Sequence, residues 1–174
     1  GVVQLRDGRL LAFGRGDTIG DRMPMSISED MGETWAYSPS PFLSVGGGQR
    51  LVLLRLQEGP LFLASFTGGR KDQPEMEVTD VAGHKRSVTG LFTAVSLDEG
   101  QTWSNIRLVS HDGPDRQLET TNGNPFTMGI STAEPGGYLA GCQSPDGLIH
   151  LISSKQHYTF NLAWLTTPPP AVEA

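Results

Sequence analysis

Arginine is the residue type here best suited to holding an anion, and Arg15, Arg50, Arg70, Arg86 and Arg116 are all expected on one face, that of the long loops. A guanidinium fork binds a carboxylate through two parallel hydrogen bonds, which a lysine cannot reproduce. The 174-residue chain has 13 basic and 19 acidic residues, a net charge of −6. An anionic ligand therefore needs a local arginine cluster to overcome the overall field. The bland alternative for each arginine is a solvated loop side chain.

The same acidic balance argues against a nucleic-acid partner and against an anionic membrane surface. No apolar stretch is long enough to span a bilayer, so no membrane insertion is expected. Cys142 is alone, which excludes an intrachain disulfide and a cysteine metal site. His84, His111, His150 and His157 show no zinc-ligand spacing, and neither a metal nor a cofactor is expected. His150 reads as a structural strand residue. Asp72, Glu75, Glu77 and Asp80 read as a solvated acidic loop.

These residues are positioned by a repeat. Ser28-Glu29-Asp30-Met31-Gly32-Glu33-Thr34-Trp35 returns as Ser96-Leu97-Asp98-Glu99-Gly100-Gln101-Thr102-Trp103, with S-x-D-x-G-x-T-W in the same register. Self-similarity of this kind marks a repeat architecture. Ser and Asp side chains can accept backbone N–H groups and close a tight turn. Gly supplies the positive φ, and Trp starts the next strand as a packing anchor. The element is therefore structural, and no chemistry is assigned to it.

Around these boxes the chain reads as strands at 2–5 and 10–13, an Asp7-Gly8 turn, and an alternating strand at 22–28. The cycle repeats with strands at 51–56, 61–66, 91–96 and 103–109, interrupted by a long polar loop at 67–86. A third cycle has strands at 138–143, 148–153 and 160–165, without a box or a fourth strand. Prolines at 168–170 end the pattern. No stretch has helical periodicity. Successive four-stranded antiparallel sheets indicate an all-β propeller, with units at about 1–44, 45–110 and 128–165 and a Pro-rich tail at 166–174. A β-sandwich is the alternative. The start at Gly1-Val2-Val3, in mid-strand, leads us to expect a fragment whose signal peptide is not observable.

In an up-and-down sheet the short box and Asp-Gly turns share one end. The long loops share the other, where function usually resides. That face should carry Arg15, Arg50, Arg70, Arg86, Arg116, His84, Tyr138, His157 and Tyr158, with the acidic Asp17, Asp21, Glu75, Glu77 and Glu119.

The two boxes match the Asp-box repeat of sialidases and related propellers. Val2-Val3-Gln4-Leu5 with Asp7-Gly8-Arg9 and then Arg15 resembles a segment of bacterial exo-α-sialidases. So do Gly137-Tyr138, Pro145-Asp146-Gly147 and Phe160-Asn161-Leu162-Ala163-Trp164-Leu165, which resemble the last blade of that family. The resemblance implies a six-bladed propeller, of which about three blades are present. It also implies removal of terminal sialic acid, or a related acidic sugar, from glycans by a secreted or periplasmic enzyme. Sialidases use a Tyr nucleophile in a retaining mechanism. On this resemblance Tyr138 is the nucleophile, Arg15 is one arginine of the carboxylate-binding triad, and Arg86 or Arg70 is another. Arg50, His157 and Tyr158 complete the substrate-binding set, the last two as pocket-rim residues. Glu134 is a substitute base for Tyr138. The family's Tyr-activating Glu would fall before Gly1, and the acid/base Asp and a further Arg belong to earlier blades, so the fragment alone should be inactive. A non-catalytic glycan-binding propeller and a glycosidase for another sugar stay open.

Overall fold

The computed structural model describes residues 1–46, 49–68 and 76–171. The described residues are all-β apart from one short helix, and their strands form small antiparallel sheets.

The first sheet runs up and down through β1 (Val2–Gln4), β2 (Leu10–Phe13), β3 (Arg22–Ser28) and β4 (Ala36–Leu43). The second comprises β5 (Val52–Arg55), β6 (Leu61–Thr67), β9 (Gly90–Ser96) and β10 (Ser104–Leu108). Between β6 and β9 stands a two-stranded hairpin, β7 (Met76–Thr79) and β8 (Lys85–Val88). A second hairpin pairs β11 (Arg116–Leu118) with β12 (Phe126–Met128). The third sheet has three strands, β13 (Ala140–Gln143), β14 (Ile149–Ile152) and β15 (His157–Phe160), and α1 (Leu162–Thr166) follows it.

Both boxes close by the same hydrogen bonds. Gly32 N donates to Ser28 Oγ at 2.8 Å, and Thr34 N to Asp30 Oδ1 at 2.8 Å. Gly100 N donates to Ser96 Oγ and Thr102 N to Asp98 Oδ1, again at 2.8 Å each. Met31 and Gly32 have φ of 60° and 98°, and Glu99 and Gly100 of 60° and 85°, so each turn holds two successive left-handed residues. The hydrogen bonds from Thr34 are the largest reason the Asp30 carboxyl is pulled down to about 2. The hairpins after β1, β5, β7 and β13 share another turn. In each, a Gly three residues on donates back to the turn's first carbonyl: Gly8 to Leu5, Gly59 to Leu56, Gly83 to Asp80, Gly147 to Ser144.

The second sheet lies between the other two. Every residue of β6 and β9 is buried, Ser65, Thr67, Thr93 and Ser96 included, so neither strand alternates between a core face and a solvent face. Phe13, Phe42, Phe92 and Trp103 form an aromatic cluster between the first and second sheets, with Phe42 and Trp103 centroids 5.4 Å apart. Phe62 meets Phe160 at 6.0 Å between the second and third. The first strands of the three sheets converge. A Cβ on Gly1 would stand 2.8 Å from Leu53 Cβ, and one on Gly141 3.2 Å from Val52 Cγ1.

Three expectations require correction. The segment at 160–165 is not a strand: Asn161, extended at φ −131°, caps α1 by accepting Trp164 N at 2.9 Å, and Leu165 is the buried residue of the helix. The region read as one polar loop contains β7 and β8, which bury only Val78 and Val88 and so give a weak apolar signal. Within it Asp80 is not solvated. It is buried and closes the turn by accepting Ala82 N and His84 N at 2.9 Å. Asp72 and Glu75 lie outside the described residues.

Candidate functional site

Arg15 follows β2, Arg50 precedes β5 and Tyr138 precedes β13, so three separate loops bring them together. The Arg15 guanidinium carbon is 5.6 Å from the centre of the Tyr138 ring, and that of Arg50 is 5.4 Å away. Two cations against one phenol ring are each attracted by its quadrupole. Neither guanidinium has a carboxylate partner among the described residues. Arg15 is steadied by donating to the Gln49 carbonyl at 3.0 Å, and Arg50 N donates to the Gly137 carbonyl at 3.0 Å. Tyr138 is 48% exposed, and its hydroxyl makes no hydrogen bond among the described residues.

Gln49 organises this cluster and carried no sequence signal. Its side chain accepts Gly46 N at 3.0 Å and donates to the Pro135 carbonyl at 3.4 Å, while its own carbonyl holds Arg15. It thereby ties the link between the first two sheets to the segment leading into Tyr138.

Glu134 is fully buried and engages a different tyrosine. Its Oε2 accepts Ser153 Oγ at 2.7 Å and the Tyr158 hydroxyl at 2.8 Å, whereas Oε1 has no partner among the described residues. Burial pushes the Glu134 carboxyl above its ordinary range, only partly offset by these two donors. Burial, and then the Glu134 charge, push the Tyr158 phenol up as well. Tyr158 is therefore a neutral hydrogen-bond donor within the fold.

The other expected residues are placed elsewhere. Arg86 donates Nε to the Ile130 carbonyl at 3.3 Å and Nη1 to the Pro170 carbonyl at 3.1 Å, pinning the tail against β8. Arg70 lies outside the described residues. His157 is on the exposed face of the third sheet, stacked on His150 at 5.4 Å between centroids, with ring nitrogens 3.2 Å apart. His150 in turn bonds Ser144 Oγ at 3.1 Å. Tyr158, one residue along β15, points to the opposite face. Among the described residues, no three His, Cys, Asp or Glu side chains are grouped so as to hold a metal.

What the Tyr138 cluster can do chemically is narrow. Two uncompensated guanidiniums hold an anionic group, and a half-exposed phenol beside them can donate to a ligand or attack it.

No family model matches the chain, and no curated protein matches it. Among solved structures it is similar to a mannose phosphorylase from Leishmania mexicana in complex with phosphate ion, at 17% identity and a TM-score of 0.45. That alignment covers 100% of this chain and 56% of the phosphorylase.

Proposed function

We propose that this chain supplies part of the active site of a sialidase-like glycoside hydrolase, built on a six-bladed propeller, that acts on terminal sialic acid or a related acidic sugar. The observation that carries the reading is the pair of guanidiniums, Arg15 and Arg50, both against the ring of the half-exposed Tyr138. In this reading the arginines grip the sugar carboxylate. The Tyr138 oxygen bonds to the anomeric carbon as the bond to the leaving glycan breaks, and water then releases the sugar with retained configuration. A neutral phenol approaches an anionic centre without the repulsion that a carboxylate nucleophile meets. It needs a base to take its proton, and the leaving oxygen needs an acid. Both would come from further blades of the parent protein, secreted or periplasmic, because Glu134 is already committed to Ser153 and Tyr158.

That commitment favours a second reading, a propeller that binds acidic glycans without cleaving them. One assay separates the two. The whole protein is incubated with a fluorogenic sialoside, and binding of N-acetylneuraminate is followed in parallel. Turnover that Tyr138→Phe abolishes supports the hydrolase. Binding that Arg15→Ala or Arg50→Ala removes, without turnover, supports the binding module. Neither turnover nor binding would end both.

A further inference from the structure

A cavity of 550 Å³ lies away from Tyr138 and shares no residue with the Arg15–Arg50–Tyr138 cluster. It opens between the β11–β12 hairpin on one side and β15 with α1 on the other. Its size falls within the range that encloses a small organic ligand, about 300–1,000 Å³.

The lining is polarised. Met128, Tyr158 and Trp164 supply apolar and aromatic surface, the Tyr158 hydroxyl being turned away to Glu134. Arg116 and His111 supply donors. Arg116 makes no hydrogen bond or ion pair among the described residues, so all five of its N–H groups face solvent or the cavity. His111 Nδ1 accepts Gly113 N at 2.9 Å, which leaves the neutral ring's proton on Nε2 as a donor. Among the described residues no Asp or Glu lines the cavity, although acids outnumber bases in the chain. An aromatic wall facing an unpaired guanidinium, with no competing carboxylate, selects a ring that carries an anion.

We infer that this cavity binds a small organic carboxylate built on a ring, its carboxylate on Arg116 and His111 and its ring face against Trp164. A uronic acid and an aromatic acid share that chemistry. The experiment titrates the protein with 4-nitrophenyl β-D-glucuronide, 4-nitrophenyl β-D-glucoside and benzoate, following the Trp164 indole N–H by NMR. The expected result is a saturable shift with the glucuronide that is at least about tenfold weaker with the neutral glucoside and with Arg116→Gln, but unchanged by Arg50→Gln. Benzoate saturating as tightly as the glucuronide assigns the site to aromatic acids, and benzoate binding more weakly assigns it to uronic acids. Three results overturn the inference: no saturable shift with any probe, equal binding of the glucoside, or binding that Arg50→Gln removes and Arg116→Gln spares.

Discussion

The Tyr158 hydroxyl donates to Glu134 Oε2 at 2.8 Å, so the buried carboxyl in the segment before β13 is bonded to a partly buried tyrosine of β15 and not to Tyr138. Burial raises the Glu134 carboxyl above the ordinary carboxylate range in the folded chain. At pH below that range both folded and unfolded chains hold the proton. As pH rises, the unfolded chain releases it first, so the stability that Glu134 contributes falls until the folded carboxyl has also ionised. Glu134→Gln removes this loss. Urea unfolding of both proteins at pH 4 and pH 7 should show the variant gaining on the parent as pH rises. An identical pH dependence in the two proteins would contradict a raised carboxyl.

The two boxes look interchangeable, but their glycines are not. Gly32 and Gly100 both need positive φ, and alanine at either pays about 1–2 kcal/mol of left-handed strain. A Cβ on Gly32 meets nothing closer than Leu10 Cδ1 at 3.6 Å, whereas one on Gly100 meets Leu11 Cδ2 at 2.6 Å. Leu11 is 1% exposed and cannot swing clear. Gly100→Ala should therefore cost about 1–3 kcal/mol more than Gly32→Ala, the usual penalty for overpacking a core. Denaturant midpoints measure the difference, and Leu11→Val in the Gly100→Ala background should recover part of it. Equal losses at the two glycines would remove the packing argument.

What was legible in the sequence was local. Ser28, Asp30, Gly32 and Thr34 close their turn on each other, so a pattern within eight residues fixes the geometry, and Ser96 to Thr102 repeat it. The strand cycle follows from these turns, and it places the Arg15, Arg50 and Tyr138 loops at one end. What was not legible was one local cap and several contacts between distant segments. Asn161 starts a helix because its side chain meets Trp164 N at the edge of a buried face, where a propensity argument sees only a continuing strand. Arg86 looked like a ligand-binding side chain, yet its partners Ile130 and Pro170 lie far along the chain. Gln49 and the Glu134–Tyr158 pair were invisible for the same reason.

Arg107 offers a test of how the C-terminal helix is held. It is 3% exposed, and its Nη1 donates to the Trp164 carbonyl at 2.7 Å and the Thr167 carbonyl at 2.8 Å. Its Nη2 pairs with Asp112, and its guanidinium stacks 3.7 Å from the Trp164 ring centre. Burial lowers its pKa, and Asp112 opposes that shift. A planar fork can reach two carbonyls, a carboxylate and an indole face at once, whereas an ammonium on a flexible stem reaches one or two of them. Arg107→Lys should destabilise the chain by about 2–4 kcal/mol, approaching the cost of breaking a buried pair. The loss should be local as well as global. The Leu165 and Thr167 amides, which donate to the Asn161 and Ala163 carbonyls, should exchange with solvent faster than the amides of β6 and β9. Stability within about 0.5 kcal/mol of the parent, the range of an ordinary surface change, with unaltered exchange at Leu165 and Thr167, would show that the helix is held by its apolar face alone.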